Sequence, residues 1–197
     1  MISKNRLVTL LMAAGAAFSF ALAGFASFAQ DCEQVQTEVL RLHIPANSDS
    51  DLDQQIKLAL RDFVLEKYSP ALCGCSSLSQ AQTLTEELLP TIESDCSAFL
   101  SEMGADYSAK AELTDMYFTT REYDSVILPA GTYSALRITL GSGEGHNWWC
   151  VIFPQLCLPA VSEPIATDDS VLSSFEQPQR ITVKFALYEW LKGIIGE

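Results

Sequence analysis

The run from Arg121 to Cys157, REYDSVILPAGTYSALRITLGSGEGHNWWCVIFPQLC, fixes backbone shape more tightly than any other part of this chain. Pro129 and Gly131 set a turn, and the alternation of Leu136, Ile138 and Leu140 predicts a half-buried strand. Gly141, Gly143 and Gly145 release the backbone into conformations closed to other residues, so a short displayed loop is expected before Trp148 and Trp149. On a strand these two rings point to opposite faces, one expected in the core and the other at least partly exposed. An exposed Trp beside a glycine-rich bend is a suitable recognition anchor, and together with Asn147 it makes this loop the first candidate docking surface.

The N-terminus reads as an export signal. Lys4 and Arg6 precede an uncharged, mostly apolar run from Leu7 to Ala29, and Asp31 and Glu33 follow it. Cations before and acids after orient the segment so that the rest of the chain crosses. Small residues at Ser27 and Ala29, and again at Gly24 and Ala26, offer cleavage sites, yet the run also reaches membrane-spanning length. Residues 1–29 are read as a signal peptide or an N-terminal membrane anchor, with cleavage the favoured outcome, and residues 31–197 as a single extracytoplasmic domain. Cleavage after Ala29 leaves 168 residues, enough for one proper core. Without Lys4 and Arg6 the remainder has a net charge of −15, which repels nucleic acid and anionic headgroups.

All six cysteines, Cys32, Cys73, Cys75, Cys96, Cys150 and Cys157, follow the export segment, and an even count in an oxidising compartment points to disulfides. Cys150 and Cys157 bracket VIFPQL, where Pro154 can reverse the chain, and are expected to pair. Closing so short a loop contributes about 2.5 kcal/mol on the chain-entropy account. Among the other four, a Cys75–Cys96 bridge would tie a loop to a helix.

The elements are predicted in an order that gives an α+β class. Residues 35–45 alternate as a first strand. Ser50, with Asp53, caps a helix from Asp51 to about Tyr68, whose buried stripe is Leu52, Ile56, Leu60 and Phe63, and Ser69-Pro70 ends it. A second helix from about Ser79 to Met103 carries Leu84, Leu88, Ile92, Cys96, Phe99 and Met103 on one face, is kinked or restarted at Pro90, and stops at Gly104. Strands follow over 107–119, 133–140 and WWCVIF. A loop with a short helix at 168–176, a strand at Ile181–Phe185 and a short helical tail complete a single domain: an N-terminal strand, two long helices, then a mainly antiparallel sheet and a short C-terminal helix.

Catalytic readings find little support. The glycine loop leads into a strand and carries Glu144, whereas a nucleotide-binding fingerprint opens a helix. His146 with Cys150 and Cys157 would need a fourth zinc ligand from far away, and disulfide pairing explains these cysteines more simply. Cys150 as a nucleophile with His43 or His146 has no supporting motif, the paired acids Glu86-Glu87 and Asp168-Asp169 read as solvated, and G-x-S-x-G is absent. His43, between Leu42 and Ile44, reads as a polar residue on the outer face of a strand, with Asn47 and Asp49 close behind it as further docking candidates. No catalytic residue, metal or cofactor is expected.

Two stretches resemble the stage II sporulation protein R family. One is LRLHIPANSDSDLDQQIKLALRDFVL, with its L-R-x-H-x-x-A-N-S-D-S segment and K-x-x-x-R-D; the other carries TREY, LPAGTY-ALR, G-G-G-NWWC and FP-LC. The resemblance spans roughly residues 38 to 157. It implies a protein signal and not an enzyme, made in the forespore and exported into the space between forespore and mother-cell membranes. There such a protein triggers a membrane-embedded aspartic protease that cleaves the pro-form of sigma-E. The family offers no catalytic residues to carry over, so the docking set is Asn147, Trp148, Trp149, His43, Asn47 and Asp49. Pro45, where the family commonly has an aliphatic residue, and the Cys73-Gly74-Cys75 pair depart from its pattern. The rival reading is a secreted cell-wall hydrolase or a wall-binding module using the tryptophans.

Overall fold

Six consecutive buried residues, Leu40–Pro45, form the strand around which the molecule is organised. The computed structural model describes residues 4–123 and 126–154. They form α1 (Lys4–Gln36), β1 (Leu40–Pro45), α2 (Asp51–Cys73), α3 (Leu78–Glu102), β2 (Ala109–Phe118), β3 (Arg121–Tyr123), β4 (Val126–Leu128), β5 (Gly131–Leu140) and β6 (Asn147–Phe153). Four strands make one sheet in the order β2–β5–β1–β6, and β3 and β4 pair as a separate two-stranded ribbon. Strand β1 lies parallel to β5 and antiparallel to β6, whereas β2 and β5 are antiparallel along their whole length. The fold is α+β, as the sequence pattern predicts.

Because β1 is central, both of its faces are covered. Leu40, Leu42 and Ile44 face α2 and α3 and pack with Ile56, Leu60, Ile92, Cys96 and Leu100. The opposite face belongs to a second cluster, in which Val39, Phe118, Tyr133, Ala135 and Val151 meet Phe28, Cys32 and Val35 of α1. The first strand begins at Leu40 and not at 35, because Val35 and Gln36 still belong to α1; Thr37 Oγ1 and the Glu38 amide donate to the Gln34 and Val35 carbonyls and close that helix.

Helix ends follow capping chemistry, but the prolines do not act as stops. Ser50 caps α2, accepting from the Asp53 amide at 3.2 Å. Gly104, at φ +81°, lets Ala105 donate to the Leu100 carbonyl and ends α3 in a Schellman-type turn. Helix α2 runs through Pro70 to Cys73, and α3 runs through Pro90 without interruption. Each proline deprives the carbonyl four residues earlier of its donor. Those carbonyls belong to Glu66 and Glu86, both exposed residues that water can reach, while buried Leu72 and Ile92 hold the helix beyond each proline in place. The buried stripe also shifts: Leu52 is 61% exposed and Met103 is exposed, while Val64, Leu72 and Leu100 take core positions.

The Cys75–Cys96 bridge is not formed, and both residues are thiols. Cys75 lies before the first turn of α3 and Cys96 near its far end, about 27 Å along the axis from the helix start at the usual helical rise. Burial raises the Cys96 thiol to about 12. Cys150 is held in a disulfide; Cys157, its expected partner, lies outside the described residues. So do the expected loop and short helix within 158–179, the strand at Ile181–Phe185 and the helical tail.

Replacing Leu100 by Ala should cost about 2–5 kcal/mol in urea unfolding, since the side chain is fully buried. The same change at Leu52 should stay within about 0.5 kcal/mol. Equal losses at the two positions would contradict this placement of the helical stripe.

Candidate functional site

The two long sequence motifs meet at one end of the sheet. Residues 46–50, which connect β1 to α2, lie against the glycine loop that connects β5 to β6. Gly145 donates to the Ala46 carbonyl at 2.9 Å. The Ser142 amide donates to Asn47 Oδ1 at 3.0 Å, and Ser142 Oγ donates to the Asn47 carbonyl at 2.8 Å. Asp49 Oδ1 accepts from the His146 amide at 2.6 Å and faces His146 Nδ1 at 2.5 Å. The glycines are needed for this close approach: a Cβ on Gly145 would overlap the Ser48 carbonyl, and one on Gly141 would overlap the Asn47 side chain.

Beneath this contact sits Asp53. Its carboxylate accepts from Asn47 Nδ2 at 3.0 Å, Ser48 Oγ at 2.5 Å and the Tyr107 hydroxyl at 2.6 Å. Burial alone would raise its carboxyl, but the donors, led by Ser48 and Tyr107, outweigh that and hold it below the usual carboxylate range. Asp49 is also lowered, first by the His146 backbone amide and then by its ring.

Helix α2 clamps the other side of the loop. Lys57 and Arg61, four residues apart, share one face of the helix. Lys57 Nζ donates to the His146 carbonyl at 2.9 Å and to Gln54 Oε1 at 2.6 Å. The Arg61 guanidinium lies 4.3 Å from the centroid of the Trp148 ring and pairs with Asp62. The K-x-x-x-R-D segment thus fixes the start of β6. From the sequence Asp53 reads only as the capping partner of Ser50, and Lys57 and Arg61 only as part of the K-x-x-x-R-D motif, whose i, i+4 cations were the available signal; Ser142 and Tyr107 carry no sequence signal of their own.

The candidate docking residues separate into two groups. Asn147 and Asp49 are exposed and Asn47 half-buried, all three at the clamped loop with His146, whose side chain is 80% exposed. Trp148 and Trp149 occupy opposite faces of the sheet, as alternation requires, but both are half-buried: Trp148 packs on the helix-covered core, Trp149 on the second cluster. His43 is not on an outer face. It is 4% exposed, stacked on Trp149 at 4.0 Å between centroids, and among the described residues no group meets either ring nitrogen in hydrogen-bond geometry, Asn147 lying nearby. Burial lowers its pKa to about 4, with nearby Asn147 opposing the shift and Arg137 reinforcing it. Neighbouring Arg41 donates from Nε to the Cys150 carbonyl at 3.2 Å and lies 4.1 Å from the Phe118 centroid. Among the described residues no group of three or more His, Cys, Asp or Glu side chains gathers to hold a metal.

Residues 36–163 match the family model described as stage II sporulation protein R. The chain is 34% identical over 187 residues to stage II sporulation protein R of Bacillus subtilis (strain 168), covering 82% of this chain and 84% of the relative. No solved structure matches.

Removing the Asp53 carboxylate with Asp53→Ala should cost about 3 kcal/mol or more in urea unfolding, since three side-chain donors lose a charged acceptor. A loss below about 1 kcal/mol would contradict its place under the loop. A second outcome concerns pH. His43 titrates near 4 when folded and near its ordinary 6.5 when unfolded, so between those values the unfolded chain binds a proton that the folded chain does not. Stability should therefore fall by about 2 kcal/mol as pH drops from 7 to 4.5, and His43→Phe should flatten that slope. The contributions of Asp49 and Asp53, whose carboxyls are lowered, are lost only in more acid solution, as pH falls through their folded values. An unchanged slope in His43→Phe would place the titration elsewhere.

Proposed function

The chain belongs to the stage II sporulation protein R family, and from that premise we propose that it is an exported sporulation signal acting by contact, without catalysis of its own. The partner in this reading is a membrane-embedded aspartic protease, which responds by processing pro-sigma-E. The apolar N-terminal helix is compatible with an extracytoplasmic location, and by family resemblance that location is the space between forespore and mother-cell membranes.

One observation carries the reading. The most recognisable motifs of the chain spend their interior side chains on holding a single rim in shape, and leave Asp49, His146 and Asn147 exposed on it. A contact signal benefits from such an arrangement, because a surface ordered before binding loses little entropy on docking. Trp148 and Trp149, half-buried on the two sides of β6, serve here as supports of the rim, so the contact falls chiefly to Asn147 and His146.

Co-expression of the full chain with the protease and its pro-sigma substrate tests this. Substrate cleavage should depend on the chain. Asn147→Ala and His146→Ala should fold with near-normal melting curves yet reduce cleavage about tenfold, equivalent to roughly 1.4 kcal/mol of contact energy. Trp148→Ala should lose cleavage together with stability, since it removes the ring under Arg61. Chain-independent cleavage, or digestion of cell-wall polymer by the chain alone, would sink the proposal.

A further inference from the structure

Helix α1 runs unbroken from Lys4 to Gln36 and has two chemically different parts. Its final portion is docked on the domain. Phe28, Cys32 and Val35 are buried against the second face of the sheet with Phe118, Leu128, Tyr133 and Val151, and Phe25 and Ala29 are packed alongside. These five positions recur at helical spacing and define one face. Gln36 anchors the end of the helix by donating to the Ala130 carbonyl at 3.3 Å, in a space that exists because Gly131 has no Cβ. The upstream portion touches little: Leu11, Met12, Phe18, Phe20 and Leu22 are 54–79% exposed. Among the described residues, α1 is the one helix long and apolar enough to cross a membrane.

We propose that α1 is a permanent anchor: residues 7–24 cross a lipid bilayer, and the same helix continues as a structural element of the domain from Phe25 onward. Three observations favour a bilayer as the occupant of the bare portion. Residues 7–24 contain no charged side chain and, as helix, extend about 27 Å, close to the roughly 30 Å hydrocarbon thickness. Lys4 and Arg6 stand at one end and Asp31 and Glu33 beyond the other, the polarity that puts the domain outside the cytoplasm. The third is where docking begins. Cleavage after Ala29 would remove Phe25, Phe28 and Ala29 from the second cluster and leave a seven-residue remnant of the helix, so the boundary of the folded domain lies upstream of the peptidase site with the best small-residue spacing. With no linker between membrane and domain, the sheet stays within a few helical turns of the bilayer surface. The inference rests on α1 alone and is independent of the signalling reading.

The test is to express the full chain with a C-terminal tag in a bacterium, separate membrane from soluble fractions, and determine the N-terminus and intact mass. The expected product begins upstream of Phe25, stays in the membrane fraction through alkaline carbonate washing, is released by detergent, and is digested by protease added to spheroplasts. A soluble product beginning at Gln30, or anywhere from Phe25 onward, overturns the anchor. Full-length Phe28→Ala, measured in detergent, tests the docked portion separately. Its melting midpoint should fall by roughly 6–20 °C for loss of a buried aromatic ring from a chain of this size, and an unchanged midpoint overturns the docking of Phe28.

Discussion

The Asp53 carboxylate, nearly closed off from solvent at the start of α2, is the interaction on which the arrangement of the candidate site depends. It collects donors from the β1–α2 connection and from the segment leading into β2, and its own amide is taken by the helix cap at Ser50. An ionised group so placed is tolerable only when its lone pairs are met, and here several short polar residues meet them. The consequence is directional. Asn47, turned by its bond to Asp53, presents its own carbonyl oxygens to Ser142, and the glycine loop is held against that edge. The loop is shaped from below, by α2, as much as by its own glycines.

The sheet separates two kinds of interior. On the helix side the packing is mainly aliphatic. On the other side Arg41, His43, Trp149, Phe118 and Tyr133 form a stack in which one guanidinium lies over two rings and an indole over an imidazole. Such contacts help charged and polar side chains occupy a dry site. They also explain why β1, read from sequence as L-R-L-H-I, looks like a strand with one wet face although both faces are buried.

Much of the local structure was legible. Ser50 and Gly104 mark helix ends through chemistry that needs only neighbours in sequence, and the alternation at Leu136, Ile138 and Leu140 gives β5 directly. Pro70 and Pro90 misled because a proline's cost depends on whether the freed carbonyl can be solvated, which is decided by tertiary position. The candidate site was legible as two motifs but not as one place. What joins them is the insertion of β1 between β5 and β6, pairings across about ninety and about a hundred residues that no local pattern encodes. His43 failed for the same reason, since its burial is set by β6 and not by its flanking residues.

That insertion also orders the assembly of the molecule in time. During synthesis β1 emerges first among the strands, yet its parallel neighbour begins only at Gly131 and its antiparallel neighbour at Asn147. The helices α2 and α3 lie adjacent in sequence and pack on each other, so they can associate while β1 is still unpaired. Sheet closure must bring together segments separated by a long loop, an entropic barrier that grows slowly with length but is met before any pairing energy is gained. Until then Leu40, Leu42 and Ile44 form an apolar strand without partners, the kind of segment that aggregates when left exposed. The late arrival of the central pairing makes any truncation before residue 131 a loss of the whole sheet and not of one edge.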